Sequence, residues 1–147
     1  MKILQAESPE AIERCYPVMA ELRPHLSVEQ FRAQVERQGQ TGYRLAFVEA
    51  GGEVRSAAGY RIGEYLAWGK ILYVDDLVTR TVDHGTGYGS ALMDWLIAEA
   101  RRENCRELHL DSGVQRFGAH RFYLHKGMDI TCHHFALRLD RPESART

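Results

Sequence analysis

Three alternating glycines form the part of the sequence best suited to hold a small anionic molecule. Gly85, Gly87 and Gly89 lie between an apolar segment that ends near Thr79 and a set of apolar residues, spaced three and four apart, that begins at Leu92. Glycine lets the backbone approach a ligand closely, and the amides at the start of a helix attract anions such as a pyrophosphate. The segment therefore predicts a phosphate-binding turn between a strand and a helix.

Two common phosphate-binding motifs do not match this turn. A Walker A loop requires GxxxxGK followed by Ser or Thr, and the turn contains no lysine. A Rossmann loop requires GxGxxG inside a first βα unit, whereas these glycines read GxGxG. Taken alone, the glycines are equally well explained by a tight connection with no ligand, so the neighbouring elements must decide.

Those neighbouring elements predict a mixed α/β chain. Apolar spacing and cap residues give the order strand, two helices, three strands, helix, strand, helix, strand. The best-bounded elements are a hairpin over 43–65, a strand over 70–79, a helix over about 87–103, a strand over 107–111, a helix over 119–126 and a last strand over 130–139. We expect one domain over residues 1–140 and a loose tail over 141–147.

Composition narrows the classes of function. The chain has 147 residues, 44% of them hydrophobic, so it can form a packed core and is not generally disordered. A formal net charge of -1 gives no overall basic field for nucleic acid or anionic lipid, and no long apolar segment predicts a membrane span. The three cysteines form no CxxC pair, which favours buried thiols in a reducing, cytoplasmic setting.

The order of elements and three motifs together resemble the GNAT N-acetyltransferase superfamily over almost the whole chain. The motifs are Asp75–Val78, His84–Gly89 and Phe122–Met128. The resemblance implies a single-domain α/β fold whose mixed, mostly antiparallel sheet is flanked by helices. It also implies that acetyl-CoA is the acetyl donor, which would give the glycine turn its ligand.

The resemblance further implies where acetyl-CoA would bind. The pantetheine arm would pair with a splayed strand end, and the pyrophosphate would bind the amides from Gly85 to Ser90. His84 stands where the family usually has Gln or Arg. The expected cofactor-binding residues are Leu77, Val78, Thr79, His84, Gly85, Thr86, Gly87, Tyr88, Gly89 and Ser90.

Acetyl transfer from a thioester to an amine needs a base for the amine, a donor for the carbonyl oxygen and an acid for the departing thiolate. By resemblance, Tyr123 is the acid, Asp75 is the base and the backbone N–H of Val78 is the oxyanion donor. Binding a cationic substrate is nearly as good an explanation of Asp75. Because Asp75 and Asp76 are adjacent on a predicted strand, we expect them to point to opposite faces.

Two functions of different classes remain open at this level. The first is an N-acetyltransferase that acts on a primary amine of a small molecule by direct attack in a ternary complex. The second is a non-catalytic acyl-CoA-binding or sensing domain. The histidine spacings do not predict a metal site, and the acceptor stays open, although Gln115–Leu124 is similar to aminoalkylphosphonate N-acetyltransferases. A homodimer through the last strand and the hairpin is compatible with the sequence.

Overall fold

The computed structural model describes residues 1–140, so the tail predicted over 141–147 lies outside the described residues. The chain divides into two compact units, Met1–Leu110 and the part from Asp111 onward. Each unit is described by itself. The single domain expected over 1–140 stays a prediction.

The first unit is built on a five-stranded sheet whose strands follow one another in chain order. Neighbouring strands are antiparallel except for the last pair, which is parallel. The predicted fold class, a mixed and mostly antiparallel sheet with helices, is confirmed. The strands are β1 (Lys2–Gln5), β2 (Arg44–Ala50), β3 (Glu53–Tyr65), β4 (Gly69–Thr79) and β5 (Glu107–Leu110).

Three α-helices accompany this sheet, and cap residues set where two of them begin. The helices are α1 (Pro9–Leu22), α2 (Val28–Gly39) and α3 (Tyr88–Arg102), and a short 3-10 helix (Thr81–Asp83) precedes α3. Ser8 accepts a hydrogen bond from the Ala11 amide at the start of α1. At the start of α2, Ser27 and Gln30 form a reciprocal capping box, as the sequence predicts.

The core fixes the helices against the sheet. Ile12, Cys15, Val18 and Met19 of α1 are buried in a cluster with Phe47 of β2. On α3, the residues spaced three and four apart, Leu92, Met93 and Leu96, are buried as well. Burying each such side chain contributes roughly 1.5–3 kcal/mol, so both helix positions are strongly held.

A bulge interrupts β4 where the two adjacent carboxylates lie. Gly59 of β3 is opposite Asp76, and the next β3 residue, Tyr60, is opposite Val74, so Asp75 is the extra residue. A bulge breaks the regular alternation of side chains along a strand. The expectation that Asp75 and Asp76 point to opposite faces therefore rests on a regular strand that this chain does not have.

The described part of the second unit, residues 111–140, contains one helix, α4 (Phe117–His125), followed by Gly127 with a φ of 87°. A glycine in this left-handed conformation ends a helix without the strain that a Cβ would cause. The strand predicted over 130–139 is wrong for this structure, in which residues 128–138 belong to no strand. Alternating residues show that a segment can become a strand, but a strand also needs a neighbour to pair with.

The cysteines differ in exposure from what their spacing suggests. Cys15 is buried, Cys105 is partly exposed and Cys132 is exposed, and none forms a disulfide. Burial raises the pKa of the Cys15 thiol to about 12, which keeps it protonated. The expectation of buried thiols therefore holds for Cys15 alone. Within residues 1–140, no helix has the length and apolar character needed to cross a membrane.

Candidate active site

The end of β4 offers an open strand edge. β5 pairs with β4 only from Ile71 to Val74, and among the described residues no strand pairs with 75–79 on that side. On the other side, Leu77, Val78 and Thr79 pair with β3. An extended ligand can bind such an edge through main-chain hydrogen bonds, as peptides do when they add a strand to a sheet. The predicted pantetheine-binding residues therefore have the edge that this role needs.

The glycine turn joins β4 to α3 and uses two of its glycines for their backbone conformation. Gly85 has a φ of 81° and Gly87 a φ of 92°, values that other residues rarely adopt. Gly87 is also the N-cap of α3 and has no side chain to cap the first amides of that helix. A bound anion can accept from such amides, helped by the helix dipole.

The third glycine serves close packing. A Cβ on Gly89 would lie 2.7 Å from the hydroxyl oxygen of Thr79, so any side chain would push α3 away from the end of β4. The Thr79 hydroxyl is 3.0 Å from that of Ser56, and Ser56 donates to the Val78 carbonyl over 2.8 Å. Gly89 therefore lets the first turn of α3 pack directly on the strand end.

The rest of the turn is held by hydrogen bonds within the first unit. The ring Nε2 of His84 lies 3.0 Å from the Thr79 carbonyl, which requires a proton on that nitrogen. The hydroxyl of Thr86 donates to the Asp83 carbonyl. Both predicted binding residues therefore shape the turn, and His84 ties it back to the strand.

Asp83 anchors the 3-10 helix that leads into the turn. Its carboxylate accepts from Arg80 and, over 3.5 Å, from Arg55. The hydrogen bond from Arg80 and the charges of both arginines hold the pKa of Asp83 below its usual value. On the other side, Glu21 accepts from the amide and hydroxyl of Thr81 at 3.0 Å and 2.6 Å. The turn is thus bonded to both α1 and the sheet.

Asp75 forms a bidentate ion pair with an arginine of the neighbouring strand. Arg61 donates through Nε to Oδ1 over 3.0 Å and through Nη2 to Oδ2 over 2.7 Å. This pairing raises the pKa of the Arg61 guanidinium. The contact holds the Asp75 side chain in place and involves both of its oxygens.

Asp76 has different partners. Arg23, at the end of α1, donates through Nε to Oδ1 over 2.9 Å, and the hydroxyl of Tyr43 donates to Oδ2 over 2.9 Å. The Arg61 guanidinium lies 5.6 Å from the centre of the Tyr43 ring. Burial, followed by the charges of Asp76 and Asp75, raises the pKa of Tyr43 well above its usual value. The bulge thus brings both carboxylates to one cluster.

Gly59 makes room for Tyr43 in this cluster. A Cβ on Gly59 would come within 1.8 Å of the Tyr43 hydroxyl oxygen. Gly59 is also the β3 residue opposite Asp76. The hydrogen bond between Tyr43 and Asp76 therefore depends on the missing side chain at position 59.

A cavity of about 220 Å³ lies between the first two helices and β4. Asp76 and Tyr43 supply a carboxylate and a phenol, and Arg23 supplies a positive charge. Most of the other lining residues come from α2 and the connection before it. These are Met19, His25, Leu26, Phe31, Gln34, Val35 and Gln38.

Tyr123 lies on α4 in the second unit. Burial raises the pKa of its hydroxyl, and the nearby charge of Arg116 only partly opposes this effect. The carbonyl of Tyr123 accepts from the amides of Lys126 and Met128 as α4 ends. The side chain is therefore a protonated phenol that can donate a hydrogen bond across the physiological pH range.

Sequence reasoning found the glycine turn but missed the side chains that support it and the cavity. These side chains form hydrogen bonds with residues between 3 and 60 positions away in the sequence. They are Arg23, Tyr43, Arg61, Asp83 and Glu21. No local motif marks such contacts. Among the described residues, no group of His, Cys, Asp and Glu could hold a metal ion.

Comparison with known families assigns the chain to one of them. The sequence profile of the acetyltransferase (GNAT) family matches residues 7–128. The chain belongs to this family. A curated relative, the uncharacterized N-acetyltransferase YhdJ of Bacillus subtilis (strain 168), is 33% identical over 135 residues, which cover 91% of this chain and 94% of the relative.

Solved structures agree on the fold. An aminoglycoside N-acetyltransferase, AAC(6')-Iy in complex with CoA, superposes with a TM-score of 0.82 at 15% identity, covering 95% of each chain. A ribosomal-protein-alanine N-acetyltransferase from Brucella melitensis biovar Abortus 2308 gives 0.80 at 13% identity, covering 95% of this chain and all of the other. At these identities the likeness shows the fold alone.

Membership of the GNAT family establishes the class of reaction. The protein is an acetyl-CoA-dependent N-acetyltransferase. The open end of β4 and the glycine turn fit that donor, because the first offers main-chain groups to an extended arm and the second offers amides to a diphosphate. Of the two functions open at the level of sequence, the enzyme is therefore the one that applies.

Proposed function

We propose that the acceptor is a primary amine of a small molecule and that it attacks directly in a ternary complex. The observation that carries this proposal is the cavity that contains Asp76, which directly precedes the open strand end at Leu77. Its volume of about 220 Å³ suits a small molecule or one substituent of a larger one. An amine in this cavity would lie beside the strand that binds the donor.

The cavity supports an acceptor that carries an ammonium group and a further polar or anionic group. Asp76 can attract the ammonium group, while Arg23 can pair with an acidic or strongly polar substituent. Leu26, Phe31 and Val35 supply an apolar wall for the carbon skeleton. The local similarity of Gln115–Leu124 to aminoalkylphosphonate N-acetyltransferases points to the same kind of acceptor.

Asp75 is proposed to receive the proton that the amine must lose. Its ion pair with Arg61 fixes the position of the carboxyl group next to the open strand end. Because Arg61 already contacts both oxygens, transfer through a water molecule suits Asp75 better than direct contact. The backbone N–H of Val78 is proposed to donate to the carbonyl oxygen as negative charge develops there.

Tyr123 is proposed to donate its proton to the departing sulfur. Acetyl-CoA supplies a thioester, and attack by the amine forms the new C–N bond while the C–S bond breaks. The thiolate then takes the hydroxyl proton of Tyr123. Because burial raises the pKa of Tyr123, this proton is present at neutral pH. The products are the N-acetylated amine and CoA.

A panel of amines tests this proposal. We would measure the release of free thiol from acetyl-CoA with aminoalkylphosphonates, amino acids, amino sugars, polyamines and peptides, and would confirm the products by mass spectrometry. We expect turnover with at least one low-mass primary amine and intersecting double-reciprocal plots. Parallel plots, or acetylation of peptides alone, would contradict the proposal.

A pair of arginine variants links the result to the cavity. Arg23→Ala should raise the KM of the amine at least severalfold and leave the KM of acetyl-CoA near its original value. Arg32→Ala is the matched control, because Arg32 is a half-buried arginine of α2 that pairs with Glu13 outside the cavity. Equal effects of the two changes would place the acceptor elsewhere.

A further inference from the structure

Two oxygen atoms lie side by side at the cavity. Asp76 and Tyr43 both line it, and the Tyr43 hydroxyl donates to Oδ2 of Asp76 over 2.9 Å. Both residues belong to the first unit, Met1–Leu110, as does every other residue that lines the cavity. A molecule that enters the cavity therefore meets a carboxylate oxygen and a phenol oxygen that are already bonded to each other.

The contacts of Asp76 leave one acceptor position on the oxygen that Tyr43 contacts. Nε of Arg23 lies 2.9 Å and Nη2 lies 2.8 Å from Oδ1, so this oxygen faces the guanidinium. Among the described residues, Tyr43 alone donates to Oδ2. Since a carboxylate oxygen has two lone pairs, Oδ2 can accept one further hydrogen bond. A donor can therefore bind Oδ2 without displacing Arg23 or Tyr43.

The hydroxyl oxygen of Tyr43 is a second acceptor with a fixed position. Its proton is donated to Asp76, so its lone pairs can accept a hydrogen bond. Burial and the nearby carboxylates raise the pKa of Tyr43 well above its usual value, so the hydroxyl keeps this proton. A Cβ on Gly59 would lie 1.8 Å from the hydroxyl oxygen, and the Arg61 guanidinium lies 5.6 Å from the ring centre. These close neighbours hold the ring on two sides.

The spacing of the two oxygens suits a primary amine. A nitrogen about 3.0 Å from both would donate with N–H···O angles of roughly 145°, well above the ~120° at which hydrogen bonds weaken steeply. A primary ammonium group has three N–H bonds, so it can donate two of them here and lose the proton of the third. Both hydrogen bonds then remain, and the lone pair of the nitrogen is free to attack the thioester.

We propose that Tyr43 is a further binding residue for the acceptor: it accepts a hydrogen bond from the attacking nitrogen beside Asp76 and so selects primary over N-methylated amines. This inference rests on the proposed function, because it places the amine in the same cavity. A secondary amine has a single N–H after it loses its proton, and its methyl group takes the place of the second donor. It therefore loses one of the two contacts.

Paired amines measure this selection. We would determine kcat/KM at saturating acetyl-CoA for 2-aminoethylphosphonate, glycine and glucosamine, and for the N-methyl derivative of each. The ratio of the two values in a pair should favour the primary amine in the original protein. Tyr43→Phe should lower this ratio about three- to tenfold, which is the usual contribution of one hydrogen bond.

Tyr16→Phe is the matched control. The Tyr16 hydroxyl donates to the Leu26 carbonyl over 2.8 Å, and Tyr16 is not among the residues that line the cavity. This variant also loses a tyrosine hydrogen bond of the first unit but should keep the ratio of the original protein. A loss of stability changes both rates of a pair alike, so the ratio reports the contact with the nitrogen.

Gly59→Ala tests the same contact and keeps the phenol. The added Cβ must displace the Tyr43 hydroxyl, so this variant should lower the ratio as Tyr43→Phe does. An unchanged ratio in Tyr43→Phe, for a primary amine whose KM rises in Arg23→Ala, would overturn this inference and leave the proposed function standing. An equal fall of the ratio in Tyr16→Phe would overturn it as well. Turnover of none of the three primary amines would overturn this inference together with the proposed acceptor.

Discussion

Asp75 and Asp76 are adjacent in sequence but have separate partners, and on this difference we base our proposal that they have separate tasks. Arg61 holds Asp75 through both oxygens, whereas Asp76 lines the cavity and binds Arg23 and Tyr43. The carboxylate that lines the cavity suits binding of a cation, and we propose that Asp75, outside that lining, receives the proton of the amine through a water molecule. Binding of the amine and removal of its proton affect different kinetic constants, so kinetics can distinguish the two roles.

Two conservative variants distinguish these tasks. Asp75→Asn should lower kcat by about 10²-fold or more and remove the acidic limb of the pH–rate profile, because the amide cannot accept the proton. Asp76→Asn should chiefly raise the KM of the amine and keep that limb. If the limb is lost in Asp76→Asn and kept in Asp75→Asn, the roles are reversed.

The Tyr123 hydroxyl gives a second prediction for a single residue. Tyr123→Phe should lower kcat by about 10²–10⁴-fold, the usual contribution of a general acid, while calorimetry shows nearly unchanged affinity for acetyl-CoA. Since burial raises the pKa of this hydroxyl, no decline of the rate that is caused by its ionisation should begin below about pH 10. An unchanged kcat in the variant would remove Tyr123 from the mechanism.

The role of a residue could be predicted where a pattern of neighbouring residues indicates it. The alternating glycines predict a turn, because a positive φ or close packing excludes other residues. Gly85 and Gly87 have a positive φ, and Gly89 is closely packed. Gly59 has an equally strict steric role, but the reason is Tyr43, which directly precedes β2 and is 16 positions away in the chain. Such a role is not visible until the strands are paired.

At the scale of elements, the 3-10 helix before the glycine turn sets the position of the amides at the start of α3. Asp83 connects this helix to β3 through Arg55, and Glu21 connects it to α1. These are charged hydrogen bonds, partly buried at Asp83 and exposed at Glu21, and charged hydrogen bonds are stronger than neutral ones. The turn is therefore held by its neighbours rather than by its own glycines.

Asp83→Asn tests this support through stability and pH. The pKa of Asp83 is depressed in the folded protein, so its carboxylate stabilises the fold above the pKa of the unfolded chain, about 4. That contribution is lost as the pH falls through the lower, folded value. The difference in unfolding free energy between the original protein and the variant should be constant above about pH 5 and shrink below about pH 4.

The binding of acetyl-CoA supplies the matched readout. Asp83→Asn should raise the KM of acetyl-CoA severalfold because the turn loses its anchor. Asp129→Asn, which removes an exposed carboxylate from the second unit, should change neither this KM nor the stability difference. If the two variants behave alike, Asp83 does not position the turn.

Helices and strands could be predicted where the residues that determine them lie close together in the sequence. The capping box at Ser27 and Gln30 and the periodicity of α3 lie within a few residues, and both are confirmed. The bulge at Asp75 could not be predicted, because it is a mismatch between two strands. In the segment 130–139, apolar residues alternate as in a strand, but the segment's own sequence does not show whether a neighbouring strand is there to pair with it.

At the scale of the whole molecule, family membership and the architecture of the first unit agree on the donor. The five-stranded sheet leaves β4 open at 75–79, and the turn at its end leads directly into the start of α3. The sheet topology thus puts an exposed strand edge and an anion-binding helix start next to each other. Acetyl-CoA, whose extended pantetheine arm is followed by a diphosphate, is a ligand of that shape.

A crystal structure of the protein grown with CoA tests this account most directly. We predict that diphosphate oxygens accept hydrogen bonds from backbone amides between Gly85 and Ser90, and that the pantetheine arm lies along Leu77, Val78 and Thr79. CoA bound at another surface, or no CoA at a saturating concentration, would contradict the account.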